Sequence, residues 1–260
     1  MSDSAVLSSV QDGILTLTLN RPAVLNSMNP ELLTQLYAGL SQAKSDDSVR
    51  VVLLTGTGRG FCAGADLNTN SMRTGRDVED AMRQLYHPII LAMRQLPKPI
   101  VGAINGTAAG GGMSLALACD IVLAAESATF LQAFARIGLL PDCGSTWFLP
   151  RIVGDVRARA LMMLADRITA AEALDYGLLW KVYPDSELMA QARAIATRMA
   201  AMPTRAYDFI KQSLAATGRN GLADQLELEA LLQKQAIKTE DHREGVNAFL
   251  EKRPAAFKGR

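Results

Sequence analysis

The sequence has few of the side chains that enzymes commonly use for metal binding and nucleophilic catalysis. Its 260 residues include two histidines, three cysteines and only 5% aromatic residues. His87 and His242 belong to no HExxH or similar pair, and Cys62, Cys119 and Cys143 show no CxxC spacing, so no metal centre is predicted. The odd cysteine count also argues against a secreted disulfide framework, so we expect a cytoplasmic location.

An excess of charge of one sign and long apolar runs are also missing. The chain has 27 Lys and Arg against 26 Asp and Glu, for a net charge of +1, which leaves no basic face for nucleic acid. No 18 uncharged apolar residues run together, and the first ten residues do not resemble a signal peptide, so no membrane partner is expected. At this length, a large core can form without disulfides or metals.

Strand and helix patterns alternate over the first two thirds of the chain. The predicted strands cover 5–10, 14–19, 51–55, 100–104 and 121–125, and the predicted helices begin at Pro30, cover 78–96 and follow Gly112. The turn signal Asp12-Gly13 makes the first two strands a β-hairpin, and Asn29 is a candidate N-cap for the first helix. This alternation predicts an α/β fold class.

The final third is predicted to be helical. Thr169 and Glu172 form a capping-box pattern, and the single strand candidate is 179–183. Further helices are predicted at 186–202, 204–216, 222–238 and 239–252. No linker rich in Pro, Gly or Ser divides the chain, so we predict a continuous unit with a core at 1–200 and a helical C-terminal subdomain at 201–260.

Two glycine-rich stretches follow predicted strands: GTGRGFCAGADL (56–67) and NGTAAGGGMSLALACD (105–120). Glycine lets a backbone N–H approach a ligand closely, and N–H groups in the first turn of a helix have no internal acceptor, so such loops suit anions and developing oxyanions. The alternative is that the glycines only permit tight turns and close packing. The spacing fits neither GxGxxG nor GxxxxGK[ST], which excludes dinucleotide and P-loop binding.

Gly112-Met-Ser-Leu-Ala116 is a near miss for the GxSxG nucleophile elbow, and it makes a serine hydrolase or thioesterase using Ser114 a distant alternative. The downstream histidine, His242, lies in a charged helical pattern typical of the surface. The competing interpretation is therefore a small serine packed in a helix and a solvated histidine.

Asp142 lies in an apolar segment, IGLLPDCGSTWF. Burial there would raise the pKa of its carboxyl and suit it to proton transfer near neutral pH. The alternative is an N-cap for a helix that starts near Gly144 or Ser145. Cys143 is interpreted as a buried filler and not as a nucleophile, because no histidine is adjacent in sequence.

These stretches resemble the enoyl-CoA hydratase/isomerase family, also called the crotonase superfamily. The matching segments, in family order, are LNRPAVLNSM (19–28), GRGFCAGADL (58–67), KPIVGAINGTAAGGGMSLALACDIVLAAESATF (98–130), IGLLPDCGSTWFLPRIVG (137–154) and EGVNAFLEKRPAAFKG (244–259). The resemblance implies a spiral of ββα units, a helical C-terminal region that forms a homotrimer or a dimer of trimers, an acyl-CoA thioester as substrate and no cofactor.

The resemblance also implies roles for individual residues. The backbone N–H groups of Ala65 and Gly111 would form the oxyanion hole, and Asp142 would be the catalytic carboxylate that removes a proton from the substrate and returns it to another carbon. Ser114 and Phe134 stand where hydratases of the family carry two glutamates, which disfavours simple hydration and favours an isomerase. Enoyl-CoA hydratase activity remains the alternative.

Within the family, GLLPDCGSTWFLPR and DYGLLWKV resemble the isomerases that act on 1,2-epoxyphenylacetyl-CoA in phenylacetate catabolism, which can also move a double bond from position 3 to position 2. The resemblance further implies residues that contact the substrate or its CoA: Leu25, Ala63, Asp66, Leu67, Gly110 and Lys258. The stretch 68–90, with Met72, Met82, Leu85 and Tyr86, would form the acyl-pocket wall, although core packing explains the same residues. Phe257 and Lys258 would reach a CoA, such as that of a neighbouring subunit, and the alternative for both residues is a frayed basic tail.

Overall fold

The computed structural model describes residues 4–68 and 74–260, and its strands form two sheets. The strands are β1 (Val6–Gln11), β2 (Ile14–Leu19), β3 (Val51–Gly56), β4 (Gly60–Cys62), β5 (Ile100–Ile104), β6 (Thr107–Ala109), β7 (Ile121–Ala125), β8 (Thr129–Leu131), β9 (Ile168–Thr169) and β10 (Lys181–Tyr183).

The larger sheet has six strands in the order β1-β2-β3-β5-β7-β10. Its first pair is the predicted antiparallel hairpin, and the remaining pairs are parallel, with Leu15 opposite Val52 and Leu53 opposite Val101. The side chains of β3 and β5 are buried along nearly their whole length, as expected for parallel strands covered on both faces. The strand predictions for this sheet are confirmed.

The smaller sheet has four strands in the order β4-β6-β8-β9 and was not predicted. Its first three strands pair in parallel, and β9 is antiparallel to β8. Each strand has only two or three residues, and glycine and alanine make up much of β4 and β6. Strands this short show no alternation of apolar and polar residues, so their sequence carries no periodic signal.

Helices cover the larger sheet and form the C-terminal region. They are α1 (Pro30–Ser45), α2 (Gly75–Ala81), α3 (His87–Gln95), α4 (Gly111–Leu117), α5 (Ser145–Val153), α6 (Asp155–Leu164), α7 (Ala170–Asp175), α8 (Leu188–Ala200), α9 (Thr204–Ala216), α10 (Leu222–Ala236) and α11 (Glu240–Glu251). The predicted helix at 78–96 consists of α2, a π-helical turn at Met82–Tyr86 and α3. Neither α6 nor the 3₁₀ turn at Ala133–Ile137 was predicted.

Local capping signals correctly located several helix starts. Asn29 accepts a hydrogen bond from the N–H of Leu32 at the start of α1, and Thr169 and Glu172 make both bonds of the predicted capping box. These bonds satisfy N–H groups that the helices themselves leave without partners.

The C-terminal tail is docked against α11. The carboxylate of Asp241 accepts hydrogen bonds from the N–H groups of Lys258 at 2.6 Å and Gly259 at 2.7 Å. The side chain of Phe257 lies close to Gly245. The frayed-tail alternative is therefore wrong.

Within residues 4–68 and 74–260, no helix is long and apolar enough to cross a membrane. The same residues contain no group of three or more His, Cys, Asp or Glu side chains arranged to hold a metal ion.

Candidate active site

A cavity of about 330 Å³ lies at the junction of the small sheet, α4 and the loop before α5. Six of the predicted site residues line it: Ala63, Ala65, Leu67, Gly110, Gly111 and Asp142. Most of the remaining wall is apolar and includes Met28, Leu131, Phe134 and Leu139. The structure therefore brings together the three separate stretches that the sequence singled out.

The loop after β4 positions the N–H of Ala65. Ala65 forms a parallel bridge with Met28, in which Met28 donates to the carbonyl of Gly64 at 2.7 Å and Asp66 donates to the carbonyl of Met28 at 2.9 Å. Backbone groups of successive residues in such a ladder point in opposite directions. The N–H of Ala65 therefore faces away from Met28 and is available to a ligand.

The start of α4 positions the second N–H. Gly110 has φ +52° and ψ −127°, a conformation open only to glycine, and α4 begins at Gly111, whose N–H has no intrahelical acceptor. A Cβ built on Gly64 would stand 3.5 Å from the nitrogen of Gly111, so the two loops lie side by side. A Cβ on Gly112 would stand 2.1 Å from the carbonyl oxygen of Cys62, so this glycine is needed for α4 to pack on β4.

The carboxyl group of Asp142 faces the start of α4. A Cβ built on Gly111 would stand 3.8 Å from Asp142 Oδ1 and 3.5 Å from the sulfur of Cys143. The N-cap of α5 is Gly144, with no side-chain capping bond, and Asp142 accepts from the N–H of Ser145 through its main-chain carbonyl. The N-cap interpretation of the Asp142 side chain is therefore wrong.

Burial raises the pKa of Asp142, and the effect is partly offset by a hydrogen bond from the Cys143 thiol and by the electrostatic influence of His87. A carboxyl with a raised pKa can accept and return a proton closer to neutral pH. Burial also raises the pKa of the Cys143 thiol well above its ordinary value, and the neighbouring Asp142 adds to the effect. Cys143 therefore stays protonated, as its interpretation as a buried filler requires.

Comparison with known proteins identifies the family. The family model for enoyl-CoA hydratase/isomerase matches residues 9–260. The chain belongs to the enoyl-CoA hydratase/isomerase family. It is 45% identical over 258 residues, 98% of each chain, to 1,2-epoxyphenylacetyl-CoA isomerase of Escherichia coli (strain K12), and 43% identical over 260 residues, 100% of each chain, to a probable enoyl-CoA hydratase of Rhodobacter capsulatus.

The fold matches solved structures of the same family. The crystal structure of an enoyl-CoA hydratase from Bacillus anthracis superposes with a TM-score of 0.94 at 35% identity, covering 98% of this chain and 100% of that one. The predicted crotonase-like α/β fold class is therefore correct.

Ser114 and His242 do not meet, which removes the basis for a serine-hydrolase site in this family member. Ser114 is fully buried in α4, and its Oγ contacts the carbonyl oxygens of Gly110 and Asp142 and the hydroxyl of Ser145. His242 is exposed in the first turn of α11 and lines a different cavity, among the C-terminal helices. The packed-serine interpretation is the correct one.

Among the described residues named for the predicted acyl-pocket wall, Tyr86 lines the cavity. It comes from the π-helical turn and is 5% exposed, with its hydroxyl 3.5 Å from the carbonyl oxygen of Met28. Burial and the nearby acidic groups raise the pKa of its phenol. Met82 and Leu85 pack partly buried against the core, and Met72 lies outside the described residues.

Three predicted contact residues do not line the cavity. Leu25 accepts from the N–H of Ala63 at 2.9 Å, and Asp66 forms an ion pair with Arg21 at 3.0 Å, so both support the loop that carries Ala65. Lys258 lies in a separate cleft with Arg50.

Sequence reasoning missed the cation at the cavity rim. Arg136 is exposed and lines the cavity beside Ile137 and Leu139. It comes from the 3₁₀ turn that the sequence did not predict. The sequence feature that could have indicated Arg136 as a site residue is that it is the single cation in the otherwise apolar run FARIGLL (134–140).

Proposed function

We propose that this family member is a cofactor-independent isomerase of acyl-CoA thioesters, with Asp142 as its proton carrier. The supporting observation is that Asp142 is the only carboxylic acid among the described residues that line the cavity, and that its carboxyl lies beside Gly111. Ser114 and Phe134, at the positions where the resemblance implies the glutamates of hydratases, bring no second carboxylate to activate water.

The proposed reaction is a proton transfer through an enolate. The carboxylate of Asp142 removes a proton from the carbon next to the thioester carbonyl, and the electron pair moves onto the thioester oxygen. The N–H groups of Ala65 and Gly111 stabilise that oxygen, each contributing roughly 2.7–4 kcal/mol as measured for comparable donors. Asp142 then returns the proton to a different carbon, so atoms and charge balance without an added reactant.

The proposed substrate is 1,2-epoxyphenylacetyl-CoA or a 3-enoyl-CoA. The 45% identity to an isomerase named for that epoxide supports the first. The apolar wall formed by Leu131, Phe134, Ile137 and Leu139 suits a flat hydrocarbon group. The second candidate function is hydration of a 2-enoyl-CoA, which the 43% identity to a probable enoyl-CoA hydratase favours.

We propose that the CoA part runs along the loops carrying Leu25, Ala63, Asp66, Leu67 and Gly110, and that Arg136 meets its anionic end. Lys258 would contact the CoA of a neighbouring subunit. The C-terminal residues 201–260 would form the interface of a homotrimer or dimer of trimers, since they expose large apolar side chains such as Phe249 at 83% and Leu250 at 71%. A cytoplasmic location belongs to the same proposal.

Product analysis tests the proposal. The protein is incubated separately with 1,2-epoxyphenylacetyl-CoA, a 3-enoyl-CoA and a 2-enoyl-CoA. The products are separated by chromatography, and their masses are measured by mass spectrometry. We expect the epoxide and the 3-enoyl-CoA to give products of unchanged mass, because isomerisation adds no atoms. Addition of one water to the 2-enoyl-CoA would give a product 18 Da heavier, and we expect at most a trace of it. Rapid hydration of the 2-enoyl-CoA without isomerisation of the others would favour the hydratase.

A further inference from the structure

A chain of three buried polar side chains lies behind the cavity. Ser114 and Ser145 are fully buried and Gln132 is 1% exposed. Ser114 Oγ and Ser145 Oγ are 2.6 Å apart, and Gln132 Nε2 donates to Ser145 Oγ at 3.0 Å. These residues come from α4, from α5 and from the segment after β8, so the chain joins three separate elements around the site.

Either hydroxyl can be the donor between Ser114 and Ser145, and the amide of Gln132 favours one order. Because the amide nitrogen of Gln132 can only donate, the Oγ of Ser145 accepts a hydrogen bond from it. The hydroxyl hydrogen of Ser145 is then free to form a hydrogen bond to Ser114. Ser114 then donates to a main-chain carbonyl, with Asp142 O at 3.1 Å and Gly110 O at 3.3 Å both in reach. In this order, the hydrogen bonds run from Gln132 toward the two main-chain carbonyls at the cavity.

Both acceptor carbonyls belong to peptide units of the candidate active site. The carbonyl of Gly110 shares its rigid peptide plane with the N–H of Gly111. The carbonyl of Asp142 belongs to the turn that aims its carboxyl. One hydroxyl, that of Ser114, therefore touches the backbone of the proposed oxyanion donor and the backbone of the proposed base.

The turn that carries Asp142 needs such support. Cys143 has φ +51° and is followed by Gly144 with φ +82°. A non-glycine residue in this region is strained and persists only where its surroundings fix it.

The Gln132 end of this chain carries a cost in stability. Among the described residues, Oε1 of Gln132 is a buried polar atom without a hydrogen-bond partner, and burying an unsatisfied amide oxygen is unfavourable. An apolar side chain of similar size at this position would avoid that penalty.

We infer that Gln132, Ser145 and Ser114 are positioning residues, whose hydrogen-bond chain fixes the Gly110–Gly111 peptide relative to the Asp142 turn. The inference rests on the proposed function, because it assigns these side chains to the geometry of proton transfer. None of the three touches the reacting atoms.

The test uses Gln132→Met, Ser114→Ala and Ser145→Ala, with Thr55→Val as the matched control. Thr55 also buries a hydroxyl that donates to a carbonyl, that of Ala103 at 2.8 Å, but in the larger sheet. Activity on a 3-enoyl-CoA is measured as kcat, KM and the pH profile of kcat/KM, and thermal unfolding is measured alongside.

We expect Gln132→Met to unfold at the parent temperature or above, because the unpartnered oxygen is gone. Its kcat should fall about tenfold or more at unchanged KM, since misplacement by about 1 Å can cost 10²-fold in rate. The acid limb of the pH profile should move to lower pH in the serine variants, because a loosened Asp142 is better hydrated. Thr55→Val should lose stability and keep the parent kcat.

The inference is overturned if Gln132→Met keeps the parent kcat, if the serine variants keep the parent pH profile, or if Thr55→Val loses as much turnover. Asp142→Asn separates this from the proposed function. If Asp142→Asn still isomerises the substrate, the proposed function is wrong. If Asp142→Asn is inactive while Gln132→Met matches the parent, only the positioning role is wrong.

Discussion

The two sheets of the molecule differ in length, composition and task. The six-stranded sheet has apolar strands of up to six residues with few polar side chains in its centre. The four-stranded sheet has strands of two or three residues, and the loops after β4, β6 and β8 line the candidate active site. Together with the proposed function, the difference leads us to propose that the larger sheet supplies most of the stability and the smaller sheet positions the backbone of the active site.

The division follows from what each task requires of the backbone. Long parallel strands satisfy their N–H and C=O groups in the ladder and bury large side chains. A site that binds a developing oxyanion needs N–H groups that remain unpaired, as we propose for Ala65 and Gly111, and such groups occur where strands stop and helices begin. Because its strands are short, the second sheet is surrounded by strand ends and helix starts, where backbone N–H donors without partners can occur.

The largest expected effect tests the stabilising role of the first sheet. Leu54 in β3 is 1% exposed, so Leu54→Ala should lower the free energy of unfolding by about 2–5 kcal/mol, as buried leucine-to-alanine changes do. The kcat of the folded fraction should stay within about twofold of the parent, since Leu54 does not line the cavity. Denaturant unfolding and steady-state kinetics measure the two quantities.

Leu7→Ala is the matched control, because Leu7 lies in the same sheet but is 46% exposed. It should cost less than about 1 kcal/mol, as is usual for surface positions. A large loss of kcat in Leu54→Ala at full folding would break the proposed division between the sheets.

A smaller effect concerns the stability cost of the candidate active site, to which the loop before α5 contributes Asp142. Burial raises the pKa of Asp142, so the folded protein binds this proton more tightly than the unfolded chain does. This tighter proton binding contributes to the free energy of unfolding. The contribution is fully present below the ordinary aspartate pKa of 3.8 and is lost as the pH rises through the raised pKa of the folded state.

Asp142→Asn removes that dependence. Across the window from the ordinary to the raised pKa, the variant should lose less stability than the parent as the pH rises. Chemical unfolding at a series of pH values measures this. Identical pH dependence in both proteins would show that Asp142 is not buried as an ionisable group.

The sequence predicted the first sheet well and the second sheet not at all, for physical reasons. Residues 14–19 and 51–55 carry periodic or continuous apolar patterns, and Asn29 and Thr169 carry capping signals that act within one turn. The strands of the second sheet are held by pairing between distant segments, as where Gly60 lies opposite Thr107, and such contacts leave no local pattern.

The candidate site was predictable only as separate pieces. The glycine runs and Asp142 stood out as residue types suited to the chemistry. The sequence could not show that the Asp142 side chain turns toward Gly111 and not toward α5. Gln132 carried no signal either, because its importance depends on Ser145 and Ser114 lying beside it.

The most direct test of the account is deuterium exchange at the carbon next to the thioester carbonyl. Parent protein and Asp142→Asn are incubated with phenylacetyl-CoA and a 3-enoyl-CoA in deuterated water, and uptake is followed by mass spectrometry after matched unfolding curves establish that both are folded. We predict uptake by the parent and a rate reduced by roughly 10²–10⁴-fold in the variant, the usual contribution of a positioned acid–base group. Uptake at the parent rate in Asp142→Asn would contradict the account.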